Sequence, residues 1–357
     1  MKRSWQKRTC AWPLAALIFM LLLSACGGNS APGETSANAV GETTTAAKSD
    51  DSATSAASGV KTVENELGQT EIPAEPKRIV SVNMEDMLLA LDVPLVLATP
   101  VARQDYLNGK LTEQGTEIVP LTETVNYEAI LAAQPDLIVA SAQLDPEMHE
   151  QLQKIAPTIA FGRSDWRGSL PKLAAALGLE DRAQTILTGH EDLIAETKAK
   201  VAAYIGSGET SAFLRVQESD MRLFFPSVLN DSDPYAGYVG LAYAGLGLTA
   251  SPEVLKLQQE NADKQNVPIS QENLPDITAD RLFVVALSED GSEEGLQKTY
   301  DQLNALEQGK IWQAVPAVKA NHVYLLNMKN WLIDGPNAEV LKMNDLLRAL
   351  QSAEDPA

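Results

Sequence analysis

Few of the chain's 357 residues carry side chains that make or break bonds. The three histidines, His149, His190 and His322, are scattered, and Gln153 and Ile194 stand where an H-E-x-x-H motif would repeat its His. The two cysteines, Cys10 and Cys26, have the spacing of neither a zinc site nor a disulfide framework. No G-x-S-x-G elbow, Walker A loop or G-x-G-x-x-G turn occurs. The run Asn230-Asp231-Ser232-Asp233 lacks the Gly and Glu that complete a calcium loop and reads as a turn. A protein-held metal, a cofactor and enzymatic activity are therefore not expected. What remains is the chemistry of recognition, and two glutamates stand out. Glu128 and Glu272 each lie two residues after a capping residue, Asn126 and Ser270, and eight before an aspartate, Asp136 and Asp280, that leads into an apolar run. A first-turn Glu complements the helix dipole by about 0.3–1 kcal/mol. That explains each glutamate singly, but not the repetition.

The elements that must place them alternate. Two prolines, Pro73 and Pro76, lead into the β-branched run Ile79–Val82. The pattern then predicts a helix over 84–91, short strands at 95–98 and 117–120, a helix over 126–133, a buried strand at 136–140, a helix over 147–156 and a strand at 158–161. Strands alternating with helices at this spacing mean βαβ units on a mostly parallel sheet. A long helical pattern follows over 181–205, stopped by Gly206-Ser207-Gly208. Beyond it the spacing predicts strands at 211–216, 221–225, 281–287 and 322–326, and helices over 238–248 and 338–349. The expectation is an α/β protein of two pseudo-symmetric α/β lobes joined by a single long helix, with a ligand cleft between the lobes. The composition agrees: 45 % hydrophobic residues suit a globular body, and 48 Asp+Glu against 28 Lys+Arg argue against a nucleic-acid partner.

The N-terminus reads as an address. Lys2, Arg3, Lys7 and Arg8 precede an apolar run, Ala11–Leu23, whose helical length of about 20 Å is short of a bilayer core of about 30 Å. Leu23-Ser24-Ala25-Cys26 looks like a bacterial lipobox, in which Cys26 becomes the lipid-bearing first residue of the mature protein. Residues 1–25 are then a lipoprotein signal peptide. Residues 26–60, mostly Gly, Ser, Thr and Ala, form a disordered tether to the membrane. The folded part divides into an N-terminal lobe over 61–166, a helical spine over 167–206 and a C-terminal lobe over 207–352.

The lipobox, the segments IPAEPKRIVSV, NYEAILAAQPDLIVAS, LQKIAPTI and ISQENLPDITADRLFVV, and the ending WQAVPAVKANHVYLLNMKNWL occur here in order. Together they resemble the substrate-binding lipoproteins of iron–siderophore and vitamin B12 ABC importers, over about residues 61 to 350. One departure is Asp92, where that family usually has Gly. The resemblance implies two α/β lobes on a rigid helical spine and a ferric siderophore in the cleft. It also implies handover to the permease subunits of an importer, at the extracytoplasmic face of the cell membrane. In that family the glutamates matching Glu128 and Glu272 form salt bridges with permease arginines. Cobalamin or haem on the same fold is the next ligand class, and an anchored extracytoplasmic hydrolase the competing function.

A siderophore brings its own oxygen ligands to iron, so the protein needs no metal ligands, which suits a chain poor in His. It needs charge-assisted donors, for which Arg is best suited. Arg215 ends the strand SAFLR on the carboxyl side, where α/β clefts bind ligands, and Arg222 opens the next strand. Both match Arg positions of siderophore-binding relatives. Arg103 and Arg163, each following a first-lobe strand, are their counterparts. Trp331 reads as a loop residue on the cleft wall, and Trp166 as a second wall residue or a hinge packing residue at the lobe junction. Tyr106, Tyr127, Tyr235 and Tyr238 are unranked. A hydroxamate or citrate-hydroxamate ligand is favoured, because a triscatecholate carries three negative charges and needs a denser basic cluster. A monomer is expected.

Overall fold

The strands at the centre of each half are buried along their length, as in a parallel sheet covered on both faces. The computed structural model describes residues 59–226, 235, 237–288, 292–331 and 333–354. The chain separates into Met1–Ser55 and Ala56–Ala357. The first unit, with the expected signal and Cys26, lies outside the described residues, as do Asn230–Asp233.

A hairpin the sequence reading did not anticipate, β1 (Val60–Asn65) and β2 (Gly68–Pro73), opens the folded unit. The Asn65 side chain pins it to the first sheet by accepting from Ala160 N at 3.1 Å. That sheet contains β3 (Ile79–Val82), β4 (Leu97–Thr99), β5 (Glu117–Ile118), β6 (Leu137–Ser141) and β7 (Thr158–Phe161). It is parallel throughout, in the order β5-β4-β3-β6-β7. The second contains β8 (Ser211–Val216), β9 (Met221–Phe224), β10 (Asn266–Pro268), β11 (Arg281–Ala286) and β12 (Val323–Leu326), in the order β10-β9-β8-β11-β12. β8, β11 and β12 are parallel, and β9 and β10 run antiparallel to their neighbours. Position for position the two orders are the same, so the lobes are pseudo-symmetric with β6 matching β11.

The repeated aspartates act alike in this frame. Asp136 precedes β6 and accepts from Lys77 N at 2.7 Å and Arg78 N at 2.9 Å, just before β3. Asp280 precedes β11 and accepts from Thr210 N at 2.7 Å and Thr210 Oγ1 at 2.8 Å, just before β8. Each aspartate ties the entry of its strand to the entry of the neighbouring central strand. The units they close differ in one respect: Tyr127–Ala132 is an α-helix capped by the Asn126 side chain, whereas Gln271–Asp276 is a 3-10 helix.

The lobes are joined by the spine helix, Glu180–Val201, about 33 Å long and shorter than the periodicity suggested. It buries Ala183, His190, Ile194, Thr197 and Val201 on one stripe. Its first turn carries Glu180 and Asp181 and its last Lys198 and Lys200, each complementing the dipole. Before it comes a junction helix, Trp166–Leu177, ended by Gly178 at φ +72°. Asp92, the departure from the family's usual Gly, sits at φ +60°, a conformation Asp tolerates better than most residues. It also pairs with Arg182 of the spine at 2.7 Å.

The closing helix, Pro336–Glu354, follows the second sheet but starts on a first-lobe residue. Asp86 caps it, accepting from Asn337 N at 2.8 Å and Ala338 N at 3.1 Å. Gly335, at φ +139°, is required there, since a Cβ would come within 2.5 Å of the Asp86 carboxyl carbon. Burial pushes the Asp86 carboxyl up, against hydrogen bonds from Tyr106 and Asn337. Asp86→Ala leaves these buried N–H groups unpaired and is expected to cost about 1–3 kcal/mol in urea unfolding. Wild-type stability would remove the cap from the account of the lobe junction.

Candidate functional site

The loops at the carboxyl ends of the two sheets meet at one ion pair: Lys329, beyond β12, lies 2.6 Å from Asp105, beyond β4. Open parallel sheets bind ligands at these ends, where strand order reverses, here beside β3 and β8, so the residues there are the candidate site.

On the first-lobe side, β3 runs into Asn83, held at φ +59°. The fully buried Glu85 positions it by accepting from Asn83 N at 3.1 Å and Thr99 N at 3.0 Å, and burial pushes the Glu85 carboxyl up. β7 is followed by Gly162 and Arg163. Arg163 donates from Nη1 to Asn83 Oδ1 at 3.4 Å and from its backbone N to Gln143 Oε1 at 3.3 Å. Its Nε is buried and makes no hydrogen bond among the described residues.

On the second-lobe side, Arg215 of β8 and Arg222 of β9 stand directly opposite each other in the register. Both bind Asp220, in the turn between the strands. Arg215 Nη2 lies 2.5 Å from Oδ1, and Arg222 Nε 2.7 Å from Oδ2. Asn266 of β10 accepts from Arg222 Nη1 at 3.1 Å. Burial raises the Asp220 pKa, but hydrogen bonds from Arg222 and Arg215 more than offset this and hold it below the usual carboxylate range. Arg215 Nε is buried without a hydrogen bond among the described residues. Each lobe thus places guanidinium groups beside the carboxyl end of its sheet, a donor type suited to oxygen-rich anionic or strongly dipolar ligands. No group of three or more His, Cys, Asp or Glu among the described residues is placed to hold a metal ion.

Arg163, Arg215 and Arg222 thus sit at the strand ends where they were placed from sequence. Two tryptophans do not line the crevice. Trp331 ends a short helix, Met328–Trp331, and is 1 % exposed. Its ring packs on Phe213 at 5.4 Å, and its Nε1 donates to Asp345 at 2.8 Å. It is core, because its polar edge and its apolar body both find partners inside. Trp166 is likewise 1 % exposed. It packs edge-on against His190 at 5.0 Å and donates from Nε1 to Glu339 at 2.8 Å, so it is a junction residue and not a cleft wall. Arg103 lies in the 3-10 turn Ala102–Leu107, and its side chain is outside the described residues. Of the tyrosines, Tyr106 donates to Asp86, Tyr127 is half-buried against first-lobe core, Tyr238 packs on Phe224, and the Tyr235 ring lies 4.5 Å from the Arg167 guanidinium. Asp220, Asn83 and Gln143 escaped the sequence reading. A carboxylate in a four-residue turn flanked by two strand arginines was the signal for the first.

The family model for periplasmic binding proteins matches residues 118–329, more than half of the chain. The chain belongs to the periplasmic binding protein family. Among similar members, the putative ABC transporter substrate-binding lipoprotein YhfQ of Bacillus subtilis is 27% identical over 294 residues, spanning 77% of this chain and 85% of that protein. The iron(3+)-hydroxamate-binding protein YxeB of the same organism is 26% identical over 313 residues, spanning 87% and 86%. The fold is shared with SirA of Staphylococcus aureus, solved with staphyloferrin B, at a TM-score of 0.67 and 24% identity over 82% of this chain and 98% of that one.

Proposed function

We propose that this chain is the extracytoplasmic binding component of an ABC importer and captures an iron(III) siderophore, of hydroxamate or citrate-hydroxamate type, between its lobes. The observation that carries the reading is the donor set: Arg215 and Arg222 at one rim and Arg163 at the other, in a protein similar to iron(3+)-hydroxamate-binding relatives. Ferric iron arrives already ligated, so cationic donors, not protein metal ligands, do the recognising. Names of similar proteins support a lipoprotein, here through lipid on Cys26, at the outer face of the cell membrane. Purified protein mixed with a ferric trihydroxamate should leave a gel-filtration column as a monomer carrying the chelate's visible absorbance, with the chelate intact. A colourless protein peak, or a consumed chelate, would overturn the reading.

Delivery needs a permease contact, and we assign it to Glu128 and Glu272. Both are exposed, and neither makes an ion pair among the described residues. They precede the matching strands β6 and β11, one per lobe. Leu131, one turn after Glu128, is 61 % exposed and adds an apolar contact beside the charge. Rim charges act mainly on association. The double variant Glu128→Arg/Glu272→Arg is expected to keep siderophore affinity in solution and lose most iron uptake in cells. Normal uptake at normal expression would remove the docking assignment.

A further inference from the structure

We propose that Asp220 is a specificity residue that sets how much negative charge the ligand may carry. It does so by neutralising one of the two guanidinium charges on the second-lobe rim. The inference rests on the siderophore reading above.

The geometry is that of an internal counter-ion. Asp220 divides its two carboxylate oxygens between the two arginines, one each, at 2.5 Å and 2.7 Å. The β8–β9 register sets Arg215 and Arg222 face to face, so two like charges would repel if nothing stood between them. Asn266 holds the far side of Arg222 through a neutral oxygen and leaves its charge unchanged. The rim therefore carries one net positive charge from three ionised groups. Arg215 and Asp220 are partly shielded from bulk water, with side-chain exposures of 15 % and 29 %, and Arg222 is more open at 38 %. Charge at such a site acts on a bound ligand with less screening than at an open surface.

The donors are not used up. A guanidinium has five N–H groups, and Asp220 takes one from each arginine. Both side chains keep some exposure, 15 % for Arg215 and 38 % for Arg222, so their remaining N–H groups, held in direction by Asp220, would meet a ligand on a rim whose charge is halved. That combination favours a neutral or weakly anionic chelate, whose oxygens need hydrogen bonds, over a polyanion, whose binding needs net positive charge. Without the carboxylate the same arginines would form a doubly positive rim. Asp220 also borders an open recess of about 390 Å³ with Met221, Pro268 and Gln271, so removing its charge leaves no core cavity.

The test compares dissociation constants of wild type and Asp220→Asn for two probes, a net-neutral ferric trihydroxamate and a trianionic ferric tricatecholate, at low and high salt. Asp220→Asn keeps the side chain's size and removes its charge. The expected result is a shift in the affinity ratio toward the trianion by on the order of tenfold, smaller at high salt. Asp220→Glu should keep the wild-type ratio. Equal weakening of both probes, with the ratio unchanged, would make Asp220 a purely structural brace and overturn the proposal while leaving the siderophore reading intact. Failure of wild type to bind any ferric chelate would remove both. A loss of folding in Asp220→Asn, seen by circular dichroism, would also count against the proposal, since it assigns Asp220 to the ligand's charge and not to the fold.

Discussion

Glu339→Ala should destabilise the folded protein by about 3–5 kcal/mol, the cost of removing the carboxylate that faces a buried guanidinium, with Glu191 remaining only at 3.8 Å. Glu339 is 5 % exposed in the closing helix and receives Arg167 Nη1 and Nη2 at 2.7 Å each and Trp166 Nε1 at 2.8 Å. The Arg167 guanidinium is held between the rings of Trp166, at 4.4 Å, and Tyr235, at 4.5 Å, so it cannot simply swing out to water. One carboxylate thereby joins the junction helix, which follows the first sheet, to the closing helix, which follows the second. Glu339→Gln, which keeps an acceptor, should cost less. Both are read by the urea midpoint, and an unchanged midpoint for Glu339→Ala would contradict this account of how the lobes are held. His190 gives the site a pH dependence. Its Nδ1 lies 3.7 Å from Glu339, but burial, helped by the Arg167 charge, lowers its pKa, against the raising effect of Glu339 and Glu191. A histidine with a depressed folded pKa contributes stability above its unfolded pKa of about 6.5 and loses it as pH falls toward the folded value. The acid-side slope should diminish in His190→Gln.

Arg215→Ala is expected to weaken ferric-siderophore binding ten- to a hundredfold, about 1.5–3 kcal/mol, the loss of a charged hydrogen bond. The structure adds a second reason, because Asp220 would then face Arg222 alone and the rim would lose its net positive charge. Arg215→Lys keeps the charge but not the planar fork, and should still lose affinity. Calorimetric titration of the three proteins measures this, and equal affinities would remove Arg215 from the site.

Much of this was legible in the sequence because it is local. Continuous apolar runs mark β3, β6, β7, β8 and β11, and the repeated Glu–Asp spacing marks the matching units of the two lobes. The positions of Arg163 and Arg215 were legible because a strand's carboxyl end is a place in the fold. The tryptophans were not. Trp331 lies close to Gly335 and Pro336, which read as a loop, yet its ring packs on Phe213, distant in sequence, and its Nε1 finds Asp345 in the closing helix. Trp166 begins a helix disguised by the internal Pro171, and its partner Glu339 comes from the far end of the chain. The helix expected over 238–248 contracts to a single π-helical turn, Leu241–Gly245, where Gly247 at φ +81° ends it. The β1–β2 hairpin has no fully apolar face to announce it.

A ferric siderophore bound between the lobes has a direct thermodynamic signature. Isothermal titration of the purified soluble body with a ferric trihydroxamate, its iron-free form, cobalamin and haem tests it most directly. Saturable one-to-one binding of the ferric chelate is expected, with Kd of about 1 µM or tighter, equivalent to about −8.2 kcal/mol, and much weaker binding of the other three. Heat from cobalamin or haem alone, with none from any ferric chelate, would contradict it.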